Sequence, residues 1–210
     1  MSSSASTADQ LEVEVKFLVA NLPAIRNRVI EAGAKLSRER VWERNVRFDT
    51  ANDDLLRRGE LLRLRKDKNA IITFKGVSPE DVHSEAKVRE ELEITVDDFD
   101  TAAAIFRRLG FSAKQTYEKY RETFAFGEVE IVLDELPFGY FVELEGTEPA
   151  IKQAAAALNL DWQKRLVTNY LALLELVKEH YKLPFNDLTF ANFKDTPQTV
   201  AKLLATHVAD

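Results

Sequence analysis

Glu12, Glu14 and Lys16 stand two residues apart in the stretch L-E-V-E-V-K-F. In an extended chain residues two apart share a face, so two carboxylates and an ammonium project together. The spacing returns along the chain: Arg63 with Arg65, Thr73 with Lys75, then Lys87, Arg89, Glu91 and Glu93, then Lys119 with Arg121, and finally Glu143 with Glu145. Asp134 closes a further run that holds Glu130 and Val132. Grouped lysines and arginines suit a polyanion. Clustered carboxylates suit a hard divalent cation such as Mg²⁺ or Mn²⁺. Side by side they describe a chain of phosphates bound together with a metal ion.

The elements that must carry these residues are mostly strands. Leu11 to Val19 alternates apolar and charged from Leu11 to Phe17, the period of a half-buried strand. Asn21 caps a helix that has Pro23 in its first turn and ends at Gly33. A strand region runs from Lys35 to Thr50, and Asn52 to Asp54 read as a turn or the start of a short helix. Strands follow over 61–66, 70–76 and 87–96, with a polar loop over 77–86. Asp97, Asp98 and Asp100 crowd the start of the next helix, where carboxylates meet the positive end of the dipole. Strands over 117–126 and 128–133 flank Gly127, and another runs over 140–145. The spacing then predicts an alanine-rich helix from Pro149, a long amphipathic helix over 164–181, and a last helix from about Thr196. The class is α+β, and about eight strands in hairpin order suit a closed antiparallel barrel.

Periodicity leaves one question open. If the charged faces look outward, the barrel has an apolar interior. If they look inward, the lumen is wet and charged, and the apolar faces lie under the helices. Such a lumen needs paired charges or a charged ligand.

Composition narrows the class of function. The chain has 210 residues, 45% apolar and 30% charged, which suits one globular domain with room for a sizeable core. A net charge of −6 argues against a stable nucleic-acid partner. With no cysteine there is no disulfide, thiolate metal site or cysteine nucleophile. His83, His180 and His207 have no metal-ligand spacing, and there is no P-loop, G-x-G-x-x-G or H-E-x-x-H. The first residues carry neither the charged nor the apolar region of a signal peptide, and no stretch has the apolar length of a membrane span. The expectation is a cytoplasmic protein with residues 1–9 as a disordered tail.

The ordered charges resemble the CYTH family, the triphosphate tunnel metalloenzymes. Glu12, Glu14 and Lys16 match its opening Glu-x-Glu-x-Lys, and Arg63 and Arg65 its Arg-x-Arg. Lys75, then Arg89, Glu91 and Glu93, then Lys119 and Arg121 match the following elements, and Asp134, Glu143 and Glu145 the late acidic set. The resemblance covers about Leu11 to Leu174. It implies an eight-stranded antiparallel tunnel over residues 10–176, followed by a C-terminal helical extension over 177–210, a cap or a homodimer contact. It implies that Lys16, Arg63, Arg65, Lys75, Lys87, Arg89, Lys119 and Arg121 grip phosphate oxygens. It implies that Glu12, Glu14, Glu143 and Glu145 hold Mg²⁺ or Mn²⁺, assisted by Asp134, Glu91 and Glu93, with Glu12, Glu14 and Lys16 catalytic.

The implied activity is metal-dependent hydrolysis of a small-molecule triphosphate, inorganic or organic. The alternatives are a class IV adenylate cyclase and a polyphosphate-binding module without turnover. Two positions depart from the family. Its Lys-Ser-Tyr is Thr168, Asn169 and Tyr170 here, so Lys164 or Arg165 is the expected substitute for the lysine; its Tyr-Phe-Asp is Arg47, Phe48 and Asp49.

Overall fold

The computed structural model describes residues 11–77, 84–196, 200–205 and 208–209. The expected N-terminal tail, His83 and His207 lie outside them. Eight strands form a closed antiparallel barrel: β1 (Leu11–Val19), β2 (Lys35–Asp49), β3 (Leu61–Lys66), β4 (Ala70–Lys75), β5 (Lys87–Val96), β6 (Ser112–Phe126), β7 (Val129–Leu136) and β8 (Gly139–Glu145). Around the ring the order is β1-β5-β4-β3-β2-β6-β7-β8, and β8 returns to β1. Consecutive strands from β2 to β5 and from β6 to β8 pair as antiparallel neighbours, through links of two or three residues at β3–β4, β6–β7 and β7–β8 and through longer ones at β2–β3 and β4–β5. At the β6–β7 link Gly127 takes φ +60, which a side chain would strain.

The helices take the outside and one end. α1 (Leu22–Glu31) is capped by Asn21, whose side chain accepts from the Ala24 amide. α2 (Asp54–Arg57) follows β2, and α3 (Phe99–Arg108) is capped by Asp98 accepting from Thr101. α4 (Glu148–Ala157) and α5 (Tyr170–Tyr181) come after β8; α6 (Phe190–Phe193) and α7 (Val200–Leu203) are single turns. Three apolar clusters result. Val15, Phe17 and Val142 pack on the outer wall under α1 and α4, with Ile25, Val29, Ile151 and Ala154 opposite. Val46, Phe48 and Leu64 pack under α3 against Phe99 and Phe106. The third cluster is a stopper in the barrel end: Leu18, Leu136 and Phe141 meet Leu173, Leu174 and Val177 of α5, backed by Leu188 and Phe193. Burying each of these side chains contributes roughly 1.5–3 kcal/mol.

One expectation changes. The long helix begins at Tyr170, not at 164: Asn169 takes the cap position and accepts from the Ala172 amide, while a 3-10 turn fills Trp162–Lys164. Leu166 is extended there, exchanging backbone hydrogen bonds with Lys16 at 2.7 and 3.0 Å. Helical periodicity alone does not see that β5 leaves the second half of β1 unpaired on one side; residue 166 fills part of that edge. Residues after 176 share one core with the barrel, since Leu188 and Phe193 belong to the stopper. Among the described residues no helix is long and apolar enough to cross a membrane.

Candidate active site

Helices cover the apolar faces of β1, β2, β3 and β8, while Leu92 and Ile94 of β5 stay exposed, and the charged faces look into the lumen. They enclose a cavity of about 750 Å³ lined by Lys16, Arg38, Arg47, Arg63, Arg65, Lys75, Lys87, Arg89, Lys119 and Arg121, together with Glu12, Glu14, Glu91, Glu93, Glu130, Glu143 and Glu145. Strand register sets the arrangement. Lys87, Glu14, Glu145 and Glu130 are cross-strand neighbours on β5, β1, β8 and β7, which places three glutamates in one row. The next row pairs Lys16 with Glu143, and Asn45, Arg65 and Tyr117 pair across β2. Like charges directly opposite repel, so the glutamate row persists at an electrostatic cost.

The buried charges interlock. Lys16 Nζ donates to Glu14 at 2.8 Å and lies 3.2 Å from Glu143, while Lys87 Nζ donates to the other Glu14 oxygen at 2.6 Å. Burial alone would push Glu14 and Glu143 up, yet Lys16 holds both well below the usual carboxylate range, with Lys87 helping at Glu14 and Arg121 at Glu143. Lys75 bonds Glu12 and lies 3.1 Å from Glu91. Arg63 donates to the Tyr117 hydroxyl at 3.2 Å and to Thr73 at 3.0 Å, and reaches Glu93 at 3.3 Å. Arg65 is the least satisfied: its one ion pair is to Asp67 at 3.6 Å, and its buried Nε has no acceptor among the described residues.

Two carboxylates behave differently. Burial, then Glu14 and Glu91, push Glu12 up to about 7 against the pull of Lys75. Burial, then Glu12 and Glu130, push Glu145 up to about 8. Glu145 has no cation within ion-pair distance among the described residues. A site that crowds negative charge this way gains by taking a cation, and carboxylate oxygens are the donors a hard divalent ion prefers. The described residues form no ready-made cage of three such ligands.

A sequence model of the CYTH domain matches residues 10–168. The chain belongs to the CYTH domain family. It is similar to a protein of Methanocaldococcus jannaschii named "putative adenylate cyclase", 28% identical over 137 residues that make up 64% of this chain and 76% of that one. Among solved structures, a "putative adenylate cyclase" from Vibrio parahaemolyticus superposes with a TM-score of 0.70 at 25% identity, covering 79% of this chain and 98% of its own. A Pyrococcus horikoshii protein gives 0.63 at 25% identity over 76% and 96%.

Within this CYTH barrel, all the cations expected from the sequence line the cavity, though not on equal terms. Arg89 spends its guanidinium on backbone carbonyls, Gly76 at 2.7 Å and Lys75 at 3.2 Å, and so anchors strand ends. Asp134, expected near the metal, does not line the cavity. It is fully buried and accepts from Lys119 at 2.9 Å, Arg121 at 2.6 and 2.7 Å, and Tyr170 at 2.9 Å. Neither expected lysine substitute lines the cavity: Lys164 donates to Val208 O, and Arg165 to Glu85 O and Trp162 O. The added cations are Arg38 and Arg47 of β2. Arg38 shares its parity with Arg40 and Arg44, the pattern of a solvated face, but register breaks at Leu36/Arg38 and Arg38/Val41 turn Arg38 inward while Arg40 stacks on the half-buried ring of Tyr120. Glu43 belongs to none of the charged motifs of the sequence. It is fully buried with no hydrogen bond among the described residues, and although burial pushes it up, Lys119, Arg121, Arg65 and Arg63 hold it down at about 2.

Proposed function

We propose that this CYTH barrel binds a triphosphate in its lumen and hydrolyses it with the help of Mg²⁺ or Mn²⁺. The reading rests on one observation: ten lysines and arginines face a single 750 Å³ cavity that also holds a row of glutamates. Phosphoryl transfer asks mainly for positioning and charge neutralisation. Lys16, Arg63, Arg65, Lys75, Lys119 and Arg121 supply donors for the phosphate oxygens, Arg65 with a buried Nε that has no hydrogen-bond acceptor among the described residues. Glu143, Glu93 and Asp134, each bound to cations, hold those donors in place. Glu14 and Glu145, flanked by Glu91 and Glu130, would hold the divalent ion, which supplies further neutralisation of charge on the phosphates. Glu12, pushed up to about 7, has the proton affinity of a base working near neutrality. It takes the proton of the water that attacks the terminal phosphorus; the bond to the bridging oxygen breaks and diphosphate leaves.

The names of the relatives favour a second reading, in which the ribose 3′-hydroxyl of ATP attacks the α-phosphorus and diphosphate is released with cyclic AMP. Incubation with inorganic triphosphate, ATP and thiamine triphosphate, each with Mg²⁺ or Mn²⁺, separates the readings. Phosphate release is the expected result. Cyclic AMP as the main product overturns hydrolysis, and tight binding without product reduces the barrel to a polyphosphate-binding module.

A further inference from the structure

Tyr170 opens α5 at the inner end of the stopper. Its ring is 6% exposed and packs edge-on against Phe141, with centroids 5.0 Å apart. Packing explains an aromatic ring at this position, but it does not explain the rest of its surroundings. The ammonium groups of Lys16 and Lys119 both lie 5.5 Å from the ring centroid, within the range of cation–π attraction. The hydroxyl donates to Asp134 Oδ2 at 2.9 Å, the same oxygen that takes Lys119 Nζ at 2.9 Å and Arg121 NH2 at 2.6 Å. One side chain from the stopper helix thus touches two of the lumen's cations and the counter-ion of a third.

Asp134 is fully buried, so each donor it has fixes the geometry of the others. Without the hydroxyl, Oδ2 would be left to the two cations alone, which would be drawn toward it and away from the cavity. With it, part of the carboxylate's capacity is filled by a neutral donor. Lys119 and Arg121 then keep hydrogen-bonding capacity for a ligand.

We infer that Tyr170 is a positioning residue for the phosphate-gripping cations, through which seating of α5 sets the geometry of Lys16, Lys119 and Arg121. The inference rests on the triphosphate reading above and adds a helix outside the barrel wall to the binding machinery. It also gives the stopper a role beyond closing the barrel end: the helix carries the group that tunes the lumen.

The test is the affinity for inorganic triphosphate, measured by calorimetry on the full chain, for wild type, Tyr170→Phe, Lys119→Met and the double variant. Tyr170→Phe keeps the ring and loses only the hydroxyl, so the fold is expected to persist; the loss expected is about tenfold in Kd, the scale of one hydrogen bond to a charged group. In the double variant the two losses do not multiply, because Tyr170 acts through Lys119 and its counter-ion. Phe106→Leu, in the separate cluster under α3 on the outer wall, is the control: it lowers the melting temperature and leaves Kd unchanged. Wild-type affinity in Tyr170→Phe, or losses that multiply in the double variant, overturns the positioning role and leaves the triphosphate reading standing. A wild-type protein that binds no triphosphate overturns both.

Discussion

If the triphosphate proposal holds, Arg65 is the cation with most capacity to offer: it is 8% exposed, and among the described residues it has one ion pair at 3.6 Å and a buried Nε without a hydrogen-bond acceptor. Triphosphate is therefore expected to raise the melting temperature of the wild type by mass action, and the shift should vanish in Arg65→Ala, which differential scanning fluorimetry reads directly. Glu12 makes the opposite case. Glu12→Gln should abolish phosphate release while keeping triphosphate affinity within about tenfold, because the amide retains the shape and loses the base; unchanged release would remove Glu12 from the chemistry. The same carboxylates set a pH dependence. Glu12 and Glu145 sit at about 7 and about 8 in the fold, above an ordinary glutamate, so the folded state binds protons that the unfolded chain has already lost. Their contribution is complete below the unfolded value and fades as pH rises through 7 to 8. Glu14, Glu43 and Glu143 are lowered, and theirs fades on acidification below the usual carboxylate range. Melting temperature in the absence of divalent ions should peak at mildly acidic pH, and added Mg²⁺ should flatten the alkaline side.

At the scale of elements, the barrel wall and its stopper depend on different segments. Asp98 caps α3 by accepting from Thr101 at 2.6 Å, and Asp98→Ala should cost about 1 kcal/mol without touching the lumen. Phe193 lies beyond the segment matched by the family, yet it packs edge-on against Phe138 and Phe185 and belongs to the stopper. Phe193→Ala should destabilise the whole barrel by about 3 kcal/mol in urea titration, whereas a separate appendage would leave the main transition in place. β1 shows why one strand needs several partners. Glu14 to Val19 pair with β8, Leu11 to Glu14 with β5, and the remaining edge takes Leu166 and Ala209.

At the scale of the molecule, a chain with net charge −6 gathers ten lysines and arginines with nine glutamates in one cavity, so the lumen is richer in cations than the chain as a whole. Triphosphate affinity should fall steeply as ionic strength rises, since a multivalent anion exchanges for small ions at several sites at once; a flat response in a salt titration would place the ligand elsewhere. The period of two fixed β1, β3 and β5 and sorted Glu12, Arg63, Arg65 and Glu143 onto charged faces, because side-chain alternation is a local property of extended backbone. Local pattern could not say that those faces look inward. That follows only when Val15, Phe17, Val46 and Phe48 find helices to cover them. Nor could it bring Arg38 inside, which takes register breaks in β2, or withdraw Asp134, which takes Tyr170 arriving from another element. Residue type and spacing determined which charges travel together; closure of the ring, and what packs against each side of it, decided which of them meet.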